Sequence, residues 1–233
     1  MTETADGALQ QRKPTQVARN PEPLAKTVRV WLYLYLATSM LVVVSTAVSL
    51  ALATSLPPET PVSFSEPTPG LELGDFLVGV SSVLFTFVYL VAGFLTLKWI
   101  FRVSRNAHVL ASGLTVRPPW AVGWYFVPFA NLLMPFRALR EAWQASENPQ
   151  AWRSVPVPSL LRWWWGFWLV ENTLGSMSFR LGLRADTLGE TAATQMVEIV
   201  SGLSDIPLVL ALVRIVTRLS AMQQASLQRE TFA

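Results

Sequence analysis

Residues 30–55 read VWLYLYLATSMLVVVSTAVSLALATS, 26 residues without a charge, and no other feature constrains the fold as strongly. An α-helix rises 1.5 Å per residue, so about 20 apolar residues cross the roughly 30 Å hydrocarbon core of a bilayer. In water a helix this apolar would need burial on every side. The run therefore predicts a transmembrane helix. Composition agrees, because 52% hydrophobic against 14% charged residues is too apolar and too poor in charge for an ordinary soluble domain.

Three further spans are expected. The second covers about 76–100 and continues as a helix past the membrane surface to Ala111, the third covers about 160–179, and the fourth about 191–216. Residues 1–27 are polar and carry Pro14, Pro21 and Pro23, which predicts a flexible tail with too little apolar surface to fold alone. They do not read as a cleavable leader, since the first apolar run starts late and is long. Residues 56–75 hold five prolines and four acids with no basic residue, an extended loop expected on the side away from the cytoplasm. Residues 225–233 close the chain as a polar tail, and the membrane domain proper is read as 28–224. In the first helix Ser45, Ser49 and Ala53 recur every four residues, as do Ala47, Ala51 and Ser55. Both sets offer small-residue faces for close helix approach.

Residues 120–143, WAVGWYFVPFANLLMPFRALREAW, pose a question of geometry. The apolar part, 120–136, is short for a tilted span, and Pro128 and Pro135 interrupt it. Charge decides the drawing, because Lys and Arg near membrane ends collect on the cytoplasmic side. If the stretch turns back, only Arg180 and Arg184 lie outside. If it crosses, Arg137, Arg140, Arg153, Arg162, Arg214, Arg218 and Arg229 all move out. The expected fold class is an all-α integral membrane protein with four transmembrane helices and both termini cytoplasmic. A Trp- and Pro-rich re-entrant or interfacial element, residues 117–146, joins the second and third helices. Trp120, Trp124 and Tyr125 are expected at headgroup depth, with 136–146 leaving as an amphipathic helix.

Residues 101–146, FRVSRNAHVLASGLTVRPPWAVGWYFVPFANLLMPFRALREAWQAS, resemble the signature of a bacterial four-helix membrane family catalogued as domain of unknown function 4328. The matching positions are Arg102, Asn106, Gly113, Pro119, Trp120, Gly123, Trp124, Pro128, Asn131, Pro135 and Trp143. The resemblance extends through Asn172 and Gly175 to the glutamine after the last helix, Gln223 or Gln224, and covers roughly 73–224. It implies the four-helix fold and a place in the bacterial cell (inner) membrane, and it implies no activity. Glu171, beside Asn172, is read as a variable position within it.

Chemistry is constrained mainly by what is missing from the sequence. There is no cysteine and one histidine, His108, so disulfides and the usual His and Cys zinc sets are excluded. No metal and no cofactor are expected. No serine with a general base, aspartate dyad, Gly-x-Ser-x-Gly turn or Gly-rich phosphate loop appears, and no enzymatic activity is expected. The net charge of +3 comes from residues flanking apolar segments, where they set topology, so nucleic acid is not an expected partner.

Two constellations remain. Glu171 and Asp205 lie nine residues from Arg162 and Arg214, which predicts a shared depth of roughly 13–14 Å. Glu198 precedes Asp205 by seven residues, on one helix face, and with Asn172 these form a candidate buried polar cluster. Carboxylates in low dielectric resist joint ionisation, which suits a proton or cation pathway. Alternatively they cap the backbone freed by Pro207, or pair with Lys98 or Arg102, or with the amides of Asn131 and Asn172. The second constellation is basic: Lys98, Arg102 and Arg105, with Arg137 and Arg140. It either sets orientation and touches anionic lipid or docks an acidic protein. The functional expectation is a non-enzymatic interaction or accessory protein, with a small cation or proton transporter as the alternative. The partners are the bilayer, anionic lipids, and a protein or a second copy of the chain.

Overall fold

The computed structural model describes residues 18–62 and 69–232, and these are helical apart from loops and one isolated β-bridge. The helices among them are α1 (Glu22–Ala53), α2 (Glu72–Leu110), α3 (Pro118–Gly123), α4 (Met134–Glu147), α5 (Ser159–Gly182) and α6 (Leu188–Phe232). Three 3-10 turns, Trp124–Phe126, Ala130–Leu132 and Trp152–Ser154, punctuate the connections.

Two of the long helices outrun the predicted spans. α1 begins at Glu22, inside the predicted flexible tail, because Pro23 is pre-set for the first turn and Glu22 suits the positive helix end. Arg29 returns to Glu22 at 2.9 Å and fastens that turn. The remainder of the predicted tail, residues 1–17, lies outside the described residues. α6 runs on through the predicted polar tail, because Ser220 and Gln223 are fully buried and hold it against other helices.

Three helices, α1, α2 and α6, are long and apolar enough to cross a membrane. α5, with 24 residues, has the length, but Arg162, Glu171, Asn172 and Arg180 lower its mean hydropathy. The four long helices form a row rather than a closed bundle: α1 packs along α2 and α6, and α5 packs along α6. In the most apolar stretch of α2 only 17% of residues are buried, against 56% for α6. α6 is thus the central post and α2 an edge, whose Phe76, Val83, Phe87, Leu90 and Phe94 all face outward.

The apolar core sits at one end of this row. Ala25, Val28 and Leu32 of α1, Trp99 and Val103 of α2, Leu139 and Ala142 of α4, and Ile215, Val216 and Leu219 of α6 are buried together there. At the opposite end the loops clasp each other. The Val62 N–H donates to the Asp186 carbonyl (3.1 Å), Leu188 N–H to Thr60 (3.0 Å) and Gly189 N–H to Pro58 (2.9 Å). Residues 63–68 of the predicted acidic loop, with Glu66, lie outside the described residues.

Along the row, close approach depends on small residues. Ser45 and Ser49 are buried, and Ser49 lies against Gly74 of α2, where an added Cβ would meet its Cα at 3.0 Å. Ala47, Ala51 and Ser55 are exposed, so one of the two predicted small-residue faces packs and the other does not. α6 meets α1 at Gly202, where a Cβ would stand 2.4 Å from Cγ2 of Val43. Val43 is β-branched and stiff, so it cannot swing away. Gly202→Val should cost about 1–3 kcal/mol by overpacking, read as a lower unfolding temperature in detergent. Adding Val43→Ala should recover part of that loss, and no loss at all would place the contact wrongly.

Candidate functional site

The acids named from the sequence are divided among separate hydroxyl partners, although Glu171 and Asp205 lie within electrostatic reach of each other. Asp205 is 2% exposed and accepts hydrogen bonds from the hydroxyls of Tyr35 and Ser39 of α1, each at 2.6 Å. Glu171 accepts from Ser201 and Ser204 of α6, each also at 2.6 Å. Glu198 accepts from Ser178 of α5 at 3.1 Å. The seven-residue spacing does put Glu198 and Asp205 on one stripe of α6. That stripe lies between the post's two neighbours, however, and the longer Glu reaches α5 while the shorter Asp reaches α1.

Asn172 stands apart. It is exposed and donates to the Trp168 carbonyl one turn back at 2.8 Å. Pairing of the acids with Lys98, Arg102 or the amides of Asn131 and Asn172 does not occur among the described residues, because hydroxyls on the facing helices are nearer and already satisfy the carboxylates. The hydroxyl partners Tyr35, Ser39, Ser201 and Ser204 were missed in the sequence. Ser201, Ser204 and Asp205 at i, i+3 and i+4 were the available signal.

A polar knot lies inside the core end. The Asn106 amide donates to the Arg19 carbonyl (2.8 Å) and to the Gln223 side-chain oxygen (2.9 Å), and its own oxygen accepts the Arg19 N–H at 3.0 Å. Gln223 in turn donates to the Val103 carbonyl (2.9 Å) and to the Ser146 hydroxyl (3.0 Å). Gln223, not Gln224, is therefore the glutamine that matters. Trp99 donates to Ser220 at 3.0 Å. One knot ties the chain before α1 to α2, α4 and α6.

Glu141 of α4, unnoticed in the sequence, fastens the loop after α2. It accepts the N–H groups of Thr115 (2.8 Å) and Val116 (3.1 Å), the Thr115 hydroxyl, and Arg137 Nε (3.2 Å). Gly113 in this loop has φ +76°, which a side chain would resist. Burial raises the Glu141 carboxyl, and the donors from Thr115, Val116 and Arg137 more than offset it, so its pKa lies below the usual value.

The basic constellation is partly occupied. Arg137 is paired with Glu141, and Arg102 donates to the Asn20 carbonyl at 3.3 Å. Lys98 is exposed and Arg105 half-buried. Arg140 is half-buried, and its Nε has no hydrogen-bond partner among the described residues.

The Trp- and Pro-rich element folds back over this end. Pro119 lies in the first turn of α3, where its missing N–H costs nothing. The Trp120 and Trp124 rings stand 4.5 Å apart, and a Cβ on Gly123 would meet Trp120 at 3.2 Å. After Pro128 the chain reverses tightly: the Ala130 N–H donates to the Pro128 carbonyl at 2.7 Å across Phe129, which has φ +63°. That is a γ-turn of the strained, positive-φ kind. Phe126, Phe129 and Leu133 are 73%, 85% and 72% exposed, an apolar knuckle. Pro135 is buried in the first turn of α4, and Trp143 is buried and donates to Glu147 at 2.9 Å. Asn131 lies beside Leu132, whose carbonyl accepts from Trp165 of α5 at 3.2 Å.

The convergence of Asn106, Pro119, Trp120, Pro135 and Trp143 on one end agrees with a match to a family model over residues 68–221. The chain belongs to the family described as Domain of unknown function (DUF4328). No curated protein and no solved structure matches it. The DUF4328 match contains Asn106, Ser146 and the cap, while Arg19, Tyr35 and Ser39 precede the matched region and Gln223 follows it. Among the described residues no group of three or more His, Cys, Asp or Glu side chains could hold a metal ion.

The Glu141 clamp predicts a pH dependence. Its folded pKa lies below the unfolded value, usually about 4.3, so the folded state binds fewer protons. Its contribution is complete above that value and fades as pH falls through the depressed folded pKa. Detergent unfolding measured from neutral to acid pH should lose stability less steeply in Glu141→Gln than in the parent. Parallel curves would mean that Glu141 is not the titrating group.

Proposed function

We propose that this DUF4328 protein is a multi-pass protein of the bacterial cell membrane with four spans and cytoplasmic termini. It catalyses no reaction and acts as an interaction or accessory protein through its capped cytoplasmic end. The observation that carries this reading is the construction of the cap: buried polar residues serve the fold there, while apolar side chains are left on its surface. On this reading α5 is the fourth span, about 36 Å long at 1.5 Å per residue, with Asn172, Thr173 and Ser176 donating to its own carbonyls and Glu171 and Ser178 bonded to α6. The segment from Tyr125 to Leu132 is re-entrant, because it reaches α5 at Trp165 and Trp168, roughly 5–9 Å above Arg162 along that helix. The apolar side chains of the γ-turn knuckle then reach toward the acyl chains of the inner leaflet, and the basic residues of α2 and α4 lie at anionic headgroups.

Topology is tested in a chain that has no cysteine. Ser154→Cys should resist an impermeant thiol reagent applied from outside cells and react after permeabilisation, and outside labelling would overturn the four-span drawing. The interaction role is tested by crosslinking in the native membrane followed by mass spectrometry. A partner lost when exposed Lys98 is reversed to Glu, with the protein still folded, is the expected result, and isolation of the protein alone would count against it.

A second reading, a proton or cation transporter, is favoured by one observation. Asp205 and Glu171 are held by hydroxyls, and among the described residues neither forms an ion pair. Proteoliposome flux of protons or sodium ions should then vanish in Asp205→Asn with Glu171→Gln. Flux unchanged in the folded double variant rules that reading out.

A further inference from the structure

α5 is covered by α6 on one flank, and on the next flank only over its inner half. There the re-entrant element packs, with Leu132 on Trp165 and Tyr125 meeting the edge of Trp168, their ring centroids 6.1 Å apart. Past Leu169 the same flank lies open as a groove of 540 Å³, floored by Asn131 and Leu132 and walled by Asn172, Thr173, Ser176 and Arg180. We propose that this groove is the interface through which a second copy of the chain docks side by side in the membrane. The inference rests on the four-span reading given above.

Three observations point to a second copy. The first is the solvent. Irregular backbone at membrane depth persists only where protein or a water-filled cavity covers it, and the groove lies on the free edge of the helix row, with no further long helix among the described residues to cover it. The second is hydrogen-bond complementarity. Thr173 and Ser176 spend their hydroxyl protons on the carbonyls of Leu169 (2.8 Å) and Asn172 (2.7 Å), and Asn172 spends one N–H on Trp168. Asn172 is left with one amide N–H and its side-chain oxygen, a donor and an acceptor that the same amide across a twofold axis satisfies and an acyl chain does not.

The third is geometry. Identical chains insert with the same orientation, so a twofold axis along the membrane normal brings equal heights of α5 together. Arg180, at the outer end, is long enough to carry its charge to the headgroups. On the opposite edge of the row, α2 turns Phe76, Val83, Phe87, Leu90 and Phe94 outward with no amide among them, and suits lipid.

Single cysteines test this in oxidised native membranes. Ser176→Cys should run as a disulfide-linked dimer, and Val83→Cys, on the lipid edge of α2, should remain monomeric. Adding Asn172→Leu should lower the crosslinked fraction of Ser176→Cys several-fold without changing the unfolding temperature. A folded Ser176→Cys that stays monomeric, equal crosslinking of Val83→Cys, or a crosslink to a different protein would each overturn the proposal. Asp186→Cys keeps the two levels apart. If it is labelled from outside and no dimer forms, the interface alone fails, and if it is not labelled from outside, the four-span reading fails with it.

Discussion

A bilayer gives two helices nothing for burying apolar side chains against each other, because lipid tails are as apolar as leucine. Everything in this chain follows from that constraint. The four long helices keep their large apolar residues outward and touch along small residues and hydroxyls: Ser49 at Gly74, Gly202 at Val43, Tyr35 and Ser39 at Asp205. What such a row lacks in hydrophobic drive is supplied at one end, where α1, α2, α4 and α6 converge on a core resembling that of a soluble protein. The knot of Asn106 and Gln223 fixes their register there. An amide pair of this kind is directional, so it specifies which residues meet, while the surrounding Trp99, Val103, Ile215 and Leu219 provide the burial.

The helices and their order were legible because charge-free length is a strong signal, and the break-up of 120–136 into short helical pieces was legible in Pro128 and Pro135. Other features were invisible for identifiable reasons. The start of α1 at Glu22 depends on Arg19 and Asn20 being held by Asn106 and Arg102, contacts separated by more than 80 residues. The continuation of α6 depends on Gln223 reaching α2 and α4. Glu141 read as an ordinary polar-face residue of an amphipathic helix, since nothing local shows that Thr115 and Val116 will present their N–H groups to it. Likewise Gln223 could not be told from Gln224 before the burial of one of them was known.

The mid-row carboxylates show how far pattern reasoning reaches, since Glu171, bonded to Ser204, does lie level with Asp205. Equal distances from Arg162 and Arg214 gave Glu171 and Asp205 a common depth, and periodicity put Glu198 on the stripe of Asp205. Neither argument contains the lateral position of the neighbouring helices. In a row, the central helix has a neighbour on each side, so residues of one stripe are divided between them. Each acid acquires its own pair or single hydroxyl, and the polar surface is spread over two seams of the row rather than gathered into one pore.

That distribution bears on how the two ends communicate. Asp205 and Gln223 are both on α6, 18 residues or roughly 27 Å apart. Pro207 lies between them and removes one helical N–H donor. A helix weakened at that point and gripped on both sides has two rigid segments: the outer one held by α1 and α5 through carboxylates and hydroxyls, the inner one held by α2 and α4 through amides. A change in the protonation of Asp205 acts on its bonds to Tyr35 and Ser39, and so on the seam between α1 and α6 above Pro207. The cap below is tied to the same α1 through Ala25 and Val28 in its core and through Arg19 just before it. α1 and α6 together form the lever through which the carboxylates act on the capped end.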